Sequence, residues 1–351
     1  MPRPQRRRSS KFRRQKMLNP LNSTAVELDV MAEMDQFVHD HLHFLKPVSE
    51  CWQPQDLLPN MAAPDWREQL ADLRVRSAAI PDALLVVLVG NMVTEEALPS
   101  YQTWLNRVDE IRDKSGADQT PWASWTRGWT AEENRHGDLL NKYLYLTGRL
   151  DMRKVEVTVQ NLIRSGFDLK SGQDAYRSLV YASFQERGTK ISHFNTGRLA
   201  ENCGDSYLAR ICTTIAGDEA RHEEVYKKFY KEVIRLDASR AVIAFAEMMR
   251  QKVAMPARLM SDGTGRDLFN QFAIVAQKAG VYQTRDYADI IAHLIAYWDI
   301  ASLTGLSDEA SKAQEYLCRL PGRYLAKADH FEELIASLPQ EPFSWIFDRS
   351  V

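Results

Sequence analysis

Cysteine is scarce in this chain: four in 351 residues (Cys51, Cys203, Cys212 and Cys318), far apart and forming no Cys-x-x-Cys pair. That pattern implies neither a zinc knuckle nor a disulfide framework, and it fits a reducing compartment. Long apolar runs are missing as well. The longest, Ala83 to Val89, is far short of the roughly 20 residues of a bilayer-spanning helix, so no membrane insertion is expected. Glycine (16) and proline (14) are few and lie among segments rich in Leu, Ala, Glu, Lys and Arg, which favours helices over short strands joined by tight turns. No repeat of solenoid period is present. Acidic residues are absent before Glu27, whereas eight Lys or Arg fall within residues 1 to 16. Outside those eight, 37 basic residues face 47 acidic ones, a net charge of about −10, and nucleic acid is not an expected partner. The acid-free, Arg- and Ser-containing start reads as a transit peptide or its remnant, or as a disordered basic arm over residues 1 to 25. Nothing after it resembles a linker, so residues 26 to 351 are expected to form one domain.

Against this background one pattern occurs twice. Glu132-Glu133-Asn134-Arg135-His136 and Asp218-Glu219-Ala220-Arg221-His222 both read acid, Glu, any residue, Arg, His. Residues three apart on a helix project from one face, so each copy aims a carboxylate and an imidazole at a common point. Two such helices, with a Glu from each of two others, make the ligand set of a ferritin-like di-iron site. A single Glu-x-x-His is more often a surface pair. Matched flanks and apolar surroundings weigh against that here.

Helices are expected over 66–78, 81–113, 120–148, 151–165, 174–202, 205–235, 238–253, 265–279, 284–302 and 307–333, with a Pro-punctuated loop around Trp52. The fold class is therefore all-α. In 120–148 a stripe of Trp122, Trp125, Trp129, Glu133, His136, Leu140 and Tyr143 mixes aromatic bulk with the first motif. In 205–235 the equivalent stripe is Glu219, His222, Tyr226, Phe229 and Val233, with Lys227, Lys228, Lys231 and Arg235 on its back. Charged groups inside an apolar stripe are costly unless paired or metal-bound.

Two further carboxylates are needed. Glu186 lies among Leu179, Ala182 and Ser183, with Thr189 one turn on; Glu95 and Glu96 both follow the apolar LLVVLVGNMV, and periodicity alone leaves that choice open. Four carboxylates and two neutral imidazoles balance two divalent ions, and this donor set suits iron or manganese better than zinc. Asp218 and Glu132 are candidates to accept the outer N–H of a ligating histidine, each serving the other helix, with Glu132 the one that could instead be solvated. His39, His41 and His43 read as polar residues at a helix end, and His193 as a satisfied core histidine. Thr189 either caps a backbone carbonyl or donates to metal-bound oxygen.

These residues, with the stretches LKPVSECWQPQDLLP, LVGNMVTEEALPSYQTWLNR, WTRGWTAEENRHGDLLNKYLYLTGR, SFQERGTKISH, DEARHE, VYQTRDYADI, LTGLSDEASKAQEYLCRLP and PFSWIFDRSV, carry a specific resemblance. From about residue 44 to the C-terminus the chain resembles the soluble plant plastid acyl-acyl-carrier-protein (acyl-ACP) desaturases of the stearoyl delta-9 type. The resemblance selects Glu95 and implies metal ligation by Glu95, Glu133, His136, Glu186, Glu219 and His222. It implies a ferritin-like bundle with additional helices, a homodimer, a plastid stroma location, two Fe2+ ions per subunit, O2 as oxidant and reduced ferredoxin as electron donor. Trp52 and Asp218 match positions linking the surface to the iron. Trp104, Arg107, Val108, Ser178 and Leu179 match the acyl channel, where the delta-9 enzymes carry smaller or neutral residues at the first two and Gly-Phe at the last two.

An unactivated methylene chain offers no acidic C–H bond, so desaturation needs a metal-based oxidant, positioning and exclusion of water. The expected activity is O2- and ferredoxin-dependent formation of a cis double bond in acyl-ACP. The alternatives are desaturation at another position, such as delta-4 or delta-6 on palmitoyl-ACP, a di-iron oxidase or hydroxylase, and ferritin-like iron binding. Bulk and charge at Trp104 and Arg107 predict a shorter acyl chain or a shifted position. Lys227, Lys228 and Lys231, with Arg250 and Lys252, are candidates for docking the acidic carrier protein.

Overall fold

The structure, a computed structural model, describes residues 25–351. The basic arm expected over residues 1 to 25 falls outside them except for Ala25. Thirteen helices follow in chain order: α1 (Ala25–Glu33), α2 (Asp35–His41), α3 (Trp66–Ala78), α4 (Asp82–Glu95), α5 (Leu98–Leu105), α6 (Pro121–Thr147), α7 (Met152–Ser165), α8 (Ala175–Asn202), α9 (Ser206–Leu236), α10 (Ala238–Gln251), α11 (Leu268–Lys278), α12 (Thr284–Tyr297) and α13 (Asp308–Ser337). A two-residue antiparallel pair, β1 (Pro342–Phe343) and β2 (Arg349–Ser350), lies near the C-terminus.

Four of these helices form the inner bundle: α8 packs along α9, α4 packs on α6 and α8, and α6 packs on α9. Their starts follow from sequence. Thr120 accepts from the Ala123 N–H ahead of Pro121, Asp174 accepts from Arg177 N–H, and Asp205 accepts from Leu208 N–H, so α6, α8 and α9 each have a side-chain partner in the first turn, whereas α4 starts after Pro81 without one. Gly148, left-handed at φ 67°, closes α6. Every residue from Leu84 to Val93 is buried, which marks α4 as the helix surrounded on all sides. Gly90 sits where a Cβ would overlap the Phe272 ring, so the absence of a side chain lets α11 close on α4. Asp82–Leu105 is long and apolar enough to cross a membrane, yet 78% of its most apolar stretch is buried inside the protein.

Two expectations are corrected. The single helix over 81–113 is broken after Glu95, because Pro99 occupies the first turn of α5 and lacks the N–H needed to continue an earlier helix. Helices α1 and α2 have no expected bounds, although His39, His41 and His43 read as lying at a helix end, and α2 does close at His41. They are held by one face, Val30, Met31, Met34 and Val38, buried against the bundle, with Phe37 edge-on to Phe229. The loop around Trp52 contains the short helical turns Val48–Glu50 and Pro54–Leu57.

Candidate metal centre

Each inner helix delivers one part of a buried cluster: α4 carries Glu95, α6 carries Glu133 and His136, α8 carries Glu186, and α9 carries Glu219 and His222. The three-residue offset in α6 and α9 puts carboxylate and imidazole on one face, as the sequence requires. Two overlapping groups result, Glu95–Glu133–His136–Glu219 and Glu133–Glu186–Glu219–His222, each with ligand atoms all within 4.8 Å of one another. Glu133 and Glu219 belong to both. His136 Nδ1 lies 3.4 Å from Glu133 Oε2, 3.5 Å from Glu219 Oε1 and 3.8 Å from Glu95 Oε2. His222 Nδ1 lies 2.6 Å from Glu133 Oε1 and 3.6 Å from Glu186 Oε2. Glu96 stays outside, its carboxylate against Gly137.

The far side of each imidazole is fixed by the opposite motif. His136 Nε2 faces Asp218 Oδ2 at 3.5 Å, and His222 Nε2 donates to Glu132 Oε2 at 2.9 Å. Glu132 is therefore not solvated: it is buried, makes the shorter contact, and also accepts from the Lys46 N–H and from Arg221. The two motif arginines, to which the sequence assigned no role, hold these outer acids. Arg135 donates to Asp218 at 2.9 Å, and Arg221 bridges Asp218 and Glu132. Trp52 donates to Asp218 Oδ2 at 2.9 Å, and its ring stacks on His136 with centroids 6.0 Å apart. Asp218 thus joins a half-buried indole to a buried imidazole. Trp129 Nε1 donates to Glu186 Oε1 at 3.0 Å and His193 Nε2 to Glu95 Oε1 at 2.8 Å, two contacts that periodicity did not reveal.

Electrostatics and the donor atoms fit cations. Burial works to raise the Glu133 carboxyl, but His136 and His222 outweigh it and bring the group down to about 2. Burial, then repulsion from Glu133, pushes Glu186 and Glu219 up. Burial works to lower both imidazoles, yet the carboxylates around them drive His136 and His222 well above the ordinary histidine range. Burial also works to raise Glu95, but His136 and His193 hold it below its ordinary value. Two carboxylates held ionised and two pushed toward protonation describe a site with more negative charge than its two imidazoles balance. Glu186 Oε2, both Glu219 oxygens and His136 Nδ1 are buried without a hydrogen-bond partner, and His222 Nδ1 and Glu133 Oε1 approach to 2.6 Å without hydrogen-bond alignment. Buried polar atoms without partners are rare unless something else binds them. Convergent carboxylate oxygens and imidazole nitrogens are a donor set that fits metal.

Beside the centre runs a cleft of about 640 Å³, from exposed Lys252, Arg258 and Asn270 to buried Asn91, Glu95, Thr189 and His193, walled by Phe184, Phe272, Tyr282 and Tyr287. Thr189 caps backbone, its hydroxyl donating to the Gln185 and Glu186 carbonyls at 3.2 and 3.1 Å. Trp104 is buried, donates to Ser171 Oγ at 3.0 Å and packs edge-on to Tyr181. Val108 is buried, while Ser178 and Leu179 line a separate cavity of about 10 Å³ with Leu105 and Tyr226. Arg107, matched to the channel by resemblance, takes the other course open to it, outward and beside an acid: its side chain is half exposed and lies 3.9 Å from Asp168. Removal from water costs a guanidinium far more than turning outward, so it turns. Lys227 also leaves the docking set. It is buried and pairs with Glu223 at 2.9 Å and Glu224 at 3.3 Å. Lys228 and Lys231 stay nearer the surface, paired with Glu224 and Asp299, and Arg250 stacks on Tyr316.

Comparison with known proteins agrees with this geometry. Residues 26–347 match the family described as fatty acid desaturase. The chain is 54% identical over 324 residues to the chloroplastic acyl-[acyl-carrier-protein] desaturase of Cucumis sativus, covering 92% of this chain and 81% of that protein. The chloroplastic stearoyl-[acyl-carrier-protein] 9-desaturase of Ricinus communis is similar at the same identity and coverage. The X-ray structure of DesA2 from Mycobacterium tuberculosis H37Rv superposes with a TM-score of 0.53 at 17% identity, covering 81% of this chain and 99% of that one, a likeness of fold alone. A ferritin-like bundle with a duplicated Glu-x-x-His centre, and relatives alike over nearly the whole chain, lead to one conclusion: this protein belongs to the fatty acid desaturase family.

Proposed function

We propose that this chain is a plastid acyl-ACP desaturase of the stearoyl delta-9 type, acting as one domain over residues 26–351, as a homodimer, with O2 as oxidant and reduced ferredoxin as donor. The observation that carries the reading is the pair of overlapping donor groups at the buried end of an apolar-walled cleft. Glu95, Glu133, His136, Glu186, Glu219 and His222 would hold two iron ions, with Glu133 and Glu219 shared between them. Iron bound there supplies, with O2 and two external electrons, the oxidising power for unactivated C–H bonds that no side chain possesses.

The chain's own residues do the rest. Phe184, Phe272, Tyr282 and Tyr287 bind an acyl chain and exclude water, so placement along the cleft selects the bond. Thr189 borders the same cleft. One turn of χ1 would release its hydroxyl from the helix carbonyls to donate toward the centre. Trp52 and Asp218 would carry electrons inward. Lys252 and Arg258 at the exposed end, with Lys228, Lys231 and Arg250, would meet the acidic carrier.

A second reading, preference for a shorter acyl chain such as palmitoyl, is favoured by Trp104. Its buried indole bonds Ser171 and packs on Tyr181, and its neighbour Leu105 closes, with Ser178 and Leu179, a cavity of only about 10 Å³, roughly one water. Aerobic incubation of iron-loaded protein with reduced ferredoxin and either stearoyl- or palmitoyl-ACP, with the double bond located in the product, tests both. Oleoyl-ACP from stearoyl-ACP supports the first reading, a dominant palmitoyl product the second. No unsaturated product from either opposes both.

A further inference from the structure

We propose that His193 is a positioning residue for Glu95, and so for one metal position and not the other. The inference rests on the metal reading above. Glu95 is the one ligand at a helix end: it is the last residue of α4, whereas the other five lie within α6, α8 and α9. A side chain at a helix end is poorly fixed by its own backbone, and Pro99 prevents the helix from continuing. Its orientation must come from a neighbour. His193 supplies it, with Nε2 2.8 Å from Glu95 Oε1. An ionised carboxylate only accepts, so the imidazole proton sits on Nε2. Oε1 is thereby occupied, and Oε2 is left toward the centre, 3.8 Å from His136 Nδ1.

The other unshared carboxylate is built alike. Glu186 Oε1 accepts from Trp129 Nε1 at 3.0 Å, and Oε2 has no hydrogen-bond partner. The shared Glu219 has neither oxygen so engaged. The two unshared carboxylates would therefore offer a metal one oxygen each and Glu219 two, a division set by which oxygens the protein has already bonded. One turn before Glu95, Asn91 accepts from Ser192 at 2.9 Å and donates to Thr196 at 3.2 Å. Helix α8 thus grips the same face of α4 at two successive turns. His193 is buried, yet its Nδ1 has no protein partner. Among the described residues, Glu95 is the hydrogen-bond partner of this ring.

The test compares His193→Leu, which keeps bulk and loses the donor, with His193→Gln, whose amide can still donate. Fe(II) is titrated anaerobically against a competing chelator, the bound iron is examined by Mössbauer spectroscopy, and helix content is followed by circular dichroism. Loss of an outer hydrogen-bond partner typically weakens a metal about 10- to 100-fold. His193→Leu is expected to weaken one of two irons by that factor and to shift one Mössbauer doublet, with helix content unchanged. His193→Gln should recover most of the affinity. Trp129→Phe should weaken the other iron. Wild-type affinity for both irons in His193→Leu overturns the inference, as does equal weakening of both irons or a Gln variant no better than Leu. A wild-type protein that binds no iron overturns the metal reading, and this inference with it.

Discussion

Two ionic clusters lie side by side on α8 and α9, and they are built oppositely. Glu186 and Glu219 face the metal centre; Arg187 and Glu223, one residue and one turn away, face a second cluster. There, buried Glu223 is met by Arg187 at 2.8 Å, Lys227 at 2.9 Å, His293 at 3.3 Å and Lys190. Its charge is answered by the protein's own cations. At the metal centre four carboxylates meet two imidazoles, and ligand atoms are left without hydrogen-bond partners. Burial of the carboxylates does not separate the two, since Glu223 is as buried as Glu186 and Glu219. Balance does: a cluster that the chain neutralises is structural, whereas one left short of positive charge is a binding site for it.

This contrast can be broken by mutation. The largest expected effect is at the centre: His136→Ala or His222→Ala should abolish desaturation and release iron, as read by metal analysis and product formation, whereas Glu96→Ala should keep both. Glu223→Ala should do the reverse. It strands the cations around it, so chemical denaturation should show a loss of about 3 kcal/mol while iron content stays the same.

The pH dependence sharpens the second arm. Burial works to raise the Glu223 carboxyl, but hydrogen bonds from His293, Lys190 and Lys227 hold it far below the ordinary 4.5. A native pKa depressed below the unfolded value stabilises the fold while the group is ionised. The difference in unfolding free energy between wild type and Glu223→Gln should therefore be full near pH 7 and shrink as pH falls below about 4.5. A difference that grows on acidification would contradict the assignment.

Smaller effects are expected farther out. Trp104→Leu should move the ratio of stearoyl to palmitoyl turnover several-fold toward the longer chain, whereas Arg107→Ala, at an outward side chain, should change it less than about twofold. Lys228→Glu with Lys231→Glu should raise KM for acyl-ACP a few-fold, more at low salt, with iron content unchanged.

Much of this was legible in residue order because the helical period puts Glu133 with His136 and Glu219 with His222 on one face, and Trp66–Ala78 emerges at its expected bounds. The cross-service of Asp218 and Glu132 also followed, since two facing helices can each orient the other's histidine. The rest depends on which faces meet. His193 and Glu95 are 98 residues apart in sequence, and only the register of α4 against α8 joins them. Lys227 went the other way from expectation, and Arg107 took the outward one of its two possibilities: a single position on a helix does not say whether a long cation will turn out to water or fold back onto a neighbouring acid. Helices α1 and α2 left a signal, the spacing of Val30, Met34 and Val38, that the basic start beside them obscured.

The most direct test of the central claim is anaerobic Fe(II) titration of the metal-depleted protein, read by bound iron per chain. The account predicts two irons, matching the two overlapping donor groups with Glu133 and Glu219 shared between them. Saturation at one iron, or none, would contradict it.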